Sequence, residues 1–401
     1  MDIRQTPTKE FIESVREQFN VEPEIDRVLT RKMELRSGAP FSVPSLDELY
    51  RGVVALIGEN VHTPFAVKNS RWLAGGAAKI QMAFDLEWRG LSGAEELQLT
   101  PLVLRMAPAE STLETSRLRE FQLLKAIENI VPVPKCYWID DTPKHFPYSA
   151  MIYSFAEGVT KPTASDHSQV TGIGTKFTSQ WREKLAPQLV KNLADLHTAN
   201  LEAMDLSLFE KPALGSNKGT LKQIDWWLRV WEEDREEAEP LITVAAEWLK
   251  ANAPNLDHVS IIHGDFRSGN FLFSETTGKI TAWLDWEMCV LGDRHQDLTW
   301  VSIPEFGNFA EDGTTFLASG LIPTETLFQQ YRDISGLSID PARLEYYRIF
   351  NLWLTVIICL ATSHRSAKGG KSHQDSLLAW LSGFGYVLLD QLRIKLAEKL
   401  S

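Results

Sequence analysis

His263-Gly264-Asp265-Phe266-Arg267-Ser268-Gly269-Asn270, followed by Leu284-Asp285-Trp286-Glu287, is the stretch on which the reading of this 401-residue chain turns. One carboxylate precedes an amide by five residues, and a second carboxylate follows twenty residues after the first. Phosphoryl transfer asks for such a set: one Asp aligns the attacking hydroxyl and accepts its proton, while an Asn and another Asp hold the Mg²⁺ that neutralises the transferring phosphate. The intervening chain favours that geometry. Phe271-Leu272-Phe273 predicts a short strand, residues 274–278 a polar turn, and residues 280–284 a second strand. A hairpin there brings Asn270 and Asp285 to face one metal ion. Asp265 is thus expected as catalytic base, Asn270 and Asp285 as metal ligands, and His263 as a structural residue that bonds backbone and fixes the loop. The competing reading is a surface loop with ordinary acidic residues. H-G-D alone is weak; the ordered set with its hairpin is specific.

With H-G-D-x-x-x-x-N and L-D-W-E in that order, the chain resembles the aminoglycoside phosphotransferase and choline kinase superfamily. The variant is nearest to the kinase-like domains related to those fused to some acyl-CoA dehydrogenases. The resemblance covers roughly residues 65 to 365. It implies an α+β, bilobal, protein-kinase-like fold, with a small β-rich N-lobe containing one helix and a larger, mostly helical C-lobe. It implies ATP and Mg²⁺ as cofactors and a small-molecule hydroxyl as acceptor: an aminoglycoside-like polyol, a choline-like alcohol or a hydroxyacyl compound. Protein kinases read H-R-D-x-x-x-x-N and D-F-G; here Gly264 replaces the Arg, and Asp285-Trp286-Glu287 replaces D-F-G. Gly292-Asp293-Arg294-His295-Gln296-Asp297 resembles the family's G-D-P-x-x-D, with Arg294 for Pro. By that resemblance Asp297 buttresses the catalytic loop through backbone N–H groups, and Asp293 caps or braces the same region. Glu287 is left between a metal-bound water and a substrate cation. Only a short run separates Glu287 from Asp293, which leaves no room for a long activation loop and argues against a regulated protein kinase. Leu193 to His197 resembles the L-x-x-L-H helix end of the family.

The nucleotide half is less specific. Gly75-Gly76 before a strand lets backbone N–H groups approach phosphates closely, although taken alone the pair is only a turn. Ala78 stands where the family often has Ser, and Lys79 is the candidate to replace that contact. Arg105 ends the apolar strand Leu102-Val103-Leu104, where kinases place a Lys that binds phosphates and pairs with a helix Glu. Glu120 is the expected partner, Glu114 the competitor, and a surface Arg the plain alternative. Residues 151–158 resemble the hinge, with adenine bonding backbone near Ser154 and Ala156.

Three units are expected: an N-terminal helical extension (1–65) packed on the first lobe, a nucleotide-binding N-lobe (66–155) and a catalytic, substrate-binding C-lobe (156–401). In the extension, residues 11–19 and 46–57 predict helices, with Ser45 a cap. Glu232-Glu233-Asp234 and Glu236-Glu237 predict a solvated helix face, and Trp226, Trp227 and Trp231 mainly core. Tyr346, Tyr347, Trp353 and His364-Arg365 are placed by the resemblance around the acceptor pocket.

Composition bounds the rest. A net charge of −12 argues against nucleic acid as main partner, because a phosphate backbone needs a basic face. Three scattered cysteines outline no disulfide framework and suit a reducing cytoplasm. The start of the sequence lacks an apolar signal segment, and residues 350–361 are too short a run to span a bilayer, so a buried helix is expected and no membrane partner. Two other classes remain: a metallophosphoesterase built on His263, Asp265, Asp293, His295 and Asp297, for which the early D-x-H and G-N-H motifs are missing, and a catalytically dead nucleotide-binding module.

Overall fold

A computed structural model describes residues 2–38, 44–73, 79–91, 96–108, 111, 113–163, 175–369 and 375–400. Gly75, Gly76 and Ala78 lie outside the described residues. The chain opens with α1 (Lys9–Gln18), α2 (Pro23–Leu35) and α3 (Leu46–Asn60). Ser45 and Glu48 form a reciprocal capping box that starts α3, as the sequence predicts. Helix α2 was not expected from the sequence, although Pro23 in its first turn and Glu24 and Asp26 behind it are ordinary start signals.

Five antiparallel strands follow: β1 (Ala66–Trp72), β2 (Ile80–Trp88) and β3 (Gln98–Met106), then, after helix α4 (Arg117–Ile127), β4 (Cys136–Asp140) and β5 (Ala150–Ser154), in the order β1-β2-β3-β5-β4. The period of two decides what each face does. Leu102, Leu104 and Met106 of β3 join Met82, Phe84 and Leu86 of β2 in a core against Leu49, Val53 and Ile57 of α3. Val103 points the other way, into a second core with Leu123, Leu124 and Ile127 of α4. Arg105, two residues on, shares that second face, and Lys79 and Gln81 reach it from the start of β2.

The C-lobe contains α5 (Ser179–His197), α6 (Lys218–Asp234) and α7 (Pro240–Asn252), then the short strands β6 (Ser260–Ile262), β7 (Phe271–Phe273), β8 (Ile280–Trp283) and β9 (Val290–Gly292). Strands β7 and β8 pair as the predicted hairpin, and β6 pairs with β9 beneath it. The remaining helices are α8 (His295–Trp300), α9 (Thr324–Ser335), α10 (Pro341–Ile357), α11 (His364–Gly369) and α12 (Asp375–Leu400), with a π-helical segment, Ile358–Ser363, joining α10 to α11. Residues 350–361 therefore sit in one helical run, Pro341–Lys368, that is long and apolar enough to cross a bilayer by length and composition but is mostly buried inside the protein.

Three expectations are corrected by packing. Helix α3 lies on the N-lobe sheet as expected, but α1 and α2 lie on α6 of the C-lobe. The acidic run at the end of α6 is not solvated: Glu233 and Asp234 are buried, because Lys32 Nζ reaches each at 2.9 Å, Arg36 reaches Asp234 at 2.6 Å and Arg229 reaches Glu233 at 2.8 Å. Tyr346, Tyr347 and Trp353 are buried in the helical core with Trp226 and Trp227, so the other face of α10 meets the cleft.

Candidate active site

The loop expected to carry the catalytic base runs from β6 to β7 and is held at its backbone by Asp297. Asp297, in the first turn of α8, accepts the N–H of His263 at 2.7 Å and of Gly264 at 2.9 Å. His197, the last residue of α5, reaches the same carboxylate at 3.3 Å, and its other ring nitrogen meets the Tyr331 hydroxyl at 2.9 Å. Burial lowers the His197 pKa even though Asp297 opposes it. Gly264 has φ +83°, and a Cβ there would lie 2.8 Å from the Met288 carbonyl oxygen, so no larger residue fits at this position. His263 is fully enclosed: Nε2 donates to the Leu284 carbonyl at 3.0 Å, and Nδ1 accepts the Asp265 N–H at 3.2 Å. It ties the loop to the strand end that carries Asp285.

Asp265 is gripped by three side chains. Arg267 Nε and Trp300 Nε1 each donate to Oδ1 at 2.7 Å, and Asn270 Nδ2 donates to Oδ2 at 2.6 Å. Neither Arg267 nor Trp300 is expected from the sequence as a partner of Asp265. Arg267 is visible inside the motif itself, whereas Trp300 lies 35 residues away with no local signal. Asn270 also donates to the Asp265 carbonyl at 2.8 Å, so both amide hydrogens are used and its Oδ1 is the atom left for an ion. The hairpin closes as predicted: the Leu284 N–H donates to the Asn270 carbonyl at 2.7 Å. Asp285 then adopts φ +58°, a left-handed conformation that costs a non-glycine residue about 1–3 kcal/mol and turns its half-exposed carboxylate into the cleft. Asn270 Oδ1 and Asp285 offer oxygen donors alone, the chemistry a hard cation such as Mg²⁺ takes.

Arg105 meets three carboxylates. Its guanidinium lies 3.0 Å from Asp285, 3.6 Å from Glu120 and 3.7 Å from Glu287. The expected partner Glu120 is thus in place, shared with Arg117 one helical turn before it. Glu114 accepts a hydrogen bond from the Ser111 N–H. Glu287 does not stand open as a ligand for metal-bound water or a substrate cation. It is buried among Lys79 at 3.2 Å, Arg117 at 3.2 Å and Arg105. Burial alone would raise its pKa, but Lys79, Arg105 and Arg117 outweigh that and hold it at about 2. Lys79 likewise points inward, to Glu287, to the Ser111 hydroxyl at 2.8 Å and to the Leu113 carbonyl at 3.2 Å, with its pKa lowered by burial.

Elsewhere the hinge expectation narrows. The Ser154 N–H is spent on the Lys135 carbonyl at 2.8 Å, so that donor is not open to a base; Ala156 follows the strand end. Asp293 does brace the region, through the His295 ring at 2.6 Å and Arg343 at 2.7 Å, with its pKa lowered against burial by His295 and Arg343. Arg294, where the family motif has Pro, makes a bidentate pair with Asp257 at 2.9 Å on both arms. The metal cluster of a phosphoesterase is not formed: among the described residues no three His, Cys, Asp or Glu side chains converge on a metal position.

A cavity of about 740 Å³ opens on this centre. One end is ionic, with Lys79, Arg105, Asp265, Asp285 and Glu287. The far wall is apolar, formed by Leu352, Ile358, Cys359, Phe384 and Leu388 of the two long C-terminal helical runs. The π-helical segment lies in this wall, a distortion often found at functional positions.

The profile of the phosphotransferase enzyme family (APH) matches residues 91–331. Acyl-CoA dehydrogenase family member 10 of Mus musculus is 24% identical over 283 residues, covering 68% of this chain and 25% of that protein. Acyl-CoA dehydrogenase family member 11 of Homo sapiens is 25% identical over 271 residues, covering 61% of this chain and 34% of that protein. The chain therefore spans only about a third or less of these relatives' length. In structure it is similar to a candidate aminoglycoside phosphotransferase of Ralstonia eutropha, with TM-score 0.58, 20% identity and coverage of 88% of this chain and 99% of that one. It is also similar to the GDP and kanamycin complex of APH(2")-IIia, with TM-score 0.51, 15% identity and coverage of 85% and 98%. Those likenesses establish the kinase-like fold. Because the profile covers more than half of the chain, from just before β3 through the β6–β7 loop and the β7–β8 hairpin into α9, the chain belongs to the phosphotransferase enzyme family.

Proposed function

We propose that this protein is an ATP- and Mg²⁺-dependent phosphotransferase that phosphorylates a hydroxyl of a small amphiphile. The observation that carries the reading is the convergence of Asp265, Asn270, Asp285 and Arg105 at the ionic end of a cavity whose other walls are apolar. Asp265 aligns the acceptor hydroxyl and takes its proton late, as the oxygen–phosphorus bond forms and ADP departs. Asn270 and Asp285 hold the metal, which when bound supplies charge neutralisation at the transferring phosphoryl group. Arg105, oriented by Glu120, presents positive charge to the nucleotide phosphates, with Lys79 behind it on Glu287, and the backbone near Ala156 is the place for the base. His263, Asp293 and Asp297 hold the loop, and Glu287 fixes the two cations.

The acceptor is read from the lining. A polycationic aminoglycoside needs carboxylates around its amines. Apart from the catalytic centre, Glu305 is the one acidic residue among the described residues that line this cavity, and it already accepts from Gln391 at 3.3 Å. Arg348 and Lys395 border the apolar wall instead. Hydrocarbon with an anionic or neutral end suits such a site better than a polyamine. Of the three candidate acceptors this favours the hydroxyacyl compound, in keeping with the acyl-CoA dehydrogenase names of the relatives.

Calorimetry with ATP in the presence and absence of Mg²⁺ tests the nucleotide half: binding should require the metal, and Asp285→Ala should remove most of it. Equal affinity in wild type and variant would sink the metal assignment. For the acceptor, hydroxyalkanoates, their thioesters and kanamycin are incubated with ATP and read by mass spectrometry for phosphoryl gain. Asp265→Asn should bind ATP nearly unchanged and cut turnover roughly 100-fold or more. Metal-dependent ATP binding with no acceptor phosphorylated would favour the dead nucleotide-binding module.

A further inference from the structure

We infer that Trp300 is a positioning residue for Asp265 and couples that base to the acceptor pocket; the inference rests on the phosphotransferase reading. Trp300 ends α8 and is buried, yet its ring lines the cavity. Its indole N–H donates to Asp265 Oδ1 at 2.7 Å. Three residues earlier on the same helix, Asp297 holds the backbone of His263 and Gly264. Residues three apart share a helix face. One short helix therefore sets both the path of the catalytic loop and the direction of its carboxylate.

The other two donors to Asp265 are suited to different work. Asn270 is shared with the proposed metal position. Arg267 is a long, partly exposed side chain that also stacks over Phe306, at 4.8 Å from the ring centroid. Trp300 is rigid, and its ring packs against Phe306 at 5.7 Å. A buried indole N–H is usually hydrogen-bonded, although the buried indole nitrogens of Trp226 and Trp283 have no partner among the described residues. For Trp300 the acceptor is the proposed base, and the same ring forms pocket wall beside Ile303 and Leu352. An apolar acceptor molecule seated on that wall presses on the ring whose edge orients Asp265, so filling the pocket and aligning the base become one event.

Trp300→Phe keeps the apolar wall and removes the N–H. ATP turnover is measured with water as acceptor and with a hydroxydecanoate. The expected result is a fall in kcat of about 10- to 100-fold, the range of one hydrogen bond to a charged group. KM for ATP should stay within about twofold, because Trp300 packs with Phe306 on the acceptor wall and bonds Asp265, not the cations proposed for the phosphates. A second readout leaves Trp300 in place. In protein with isotope-labelled tryptophan, the Trp300 indole N–H resonance among the thirteen tryptophans is the one missing from Trp300→Phe. It should move in Asp265→Asn, which removes the charged acceptor. An unmoved resonance, or an active Trp300→Phe with unchanged kcat, overturns this proposal alone. A wild-type protein that turns over no ATP overturns the phosphotransferase reading and this proposal with it.

Discussion

His263 shows how one buried side chain sets a pH limit. Its Nε2 donates to Leu284 and its Nδ1 accepts from Asp265, so the ring is neutral, and burial lowers its pKa below the ordinary histidine value. Well above about pH 6.5 neither the folded nor the unfolded chain carries this proton, and the residue does not make stability pH-dependent. Below that, the unfolded chain takes up a proton that the folded chain refuses. Stability is therefore lost as pH falls from the unfolded pKa toward the lower folded one, by at most about 1.4 kcal/mol per pH unit for one site. Thermal unfolding between pH 7 and 5 should show Tm falling in the wild type and falling less steeply in His263→Gln. Parallel slopes would mean that His263 titrates alike in both states. Residue identity told which histidine sits in the loop; its enclosure depends on Phe266, Trp283 and Trp286 closing around the ring.

Between elements, the decisive pairing joins β3 to α4. Strand alternation sends Arg105 to the face opposite α3, and α4 lies there with Glu120 buried toward it. Arg105 also touches Asp285 and Glu287, and Glu120 also holds Arg117, so each end has a second partner. Single changes at either residue should weaken ATP binding, and Arg105→Lys should keep part of it, since the charge remains while the planar fork is lost. The double variant should lose less than the sum of the singles, by roughly 0.5–3 kcal/mol for groups in contact. A double-mutant cycle on calorimetric ATP affinity measures this, and strict additivity would separate the two residues energetically. The strand and helix themselves were legible in their apolar runs. β1 was not, because its residues are mostly half-exposed or exposed and carry no apolar pattern.

Across the whole molecule, α2 ties the lobes together behind the cleft. Toward the N-lobe, Ser116, the N-cap of α4, donates to Glu24, Arg119 pairs with the neighbouring Glu22 at 3.2 Å, and Arg27 reaches Asp141 at 3.1 Å. Toward the C-lobe, Lys32 and Arg36 enter the carboxylates of Glu233 and Asp234. Burial works against charge at Lys32, but Asp234 and Glu233 outweigh it and raise its pKa. Removing one partner from such a buried knot leaves a carboxylate under-compensated. Lys32→Met should cost about 3 kcal/mol or more in chemical denaturation. A loss under about 0.5 kcal/mol, as for an ordinary surface change, would show that Arg36 and Arg229 suffice alone.

Taken by itself, the sequence determined which residues form the candidate centre. Asp265, Asn270 and Asp285 lie within twenty residues of one another, and a hairpin of apolar strands is a local structure that its own residues specify. Strand alternation and helix caps, also local, carried the N-lobe and the start of α3. Tertiary structure alone decided how charges are compensated and what the cavity is made of. Glu233 and Asp234 read as a solvent face until Lys32 and Arg36, some two hundred residues earlier, bury them. Glu287 read as a free ligand until Lys79, Arg105 and Arg117 closed on it. Trp300 reaches Asp265, and α10 turns Leu352 rather than Tyr346 to the cleft, only after the lobe has packed. Such pairings depend on which distant surfaces meet, and neither periodicity nor motif spacing encodes that locally.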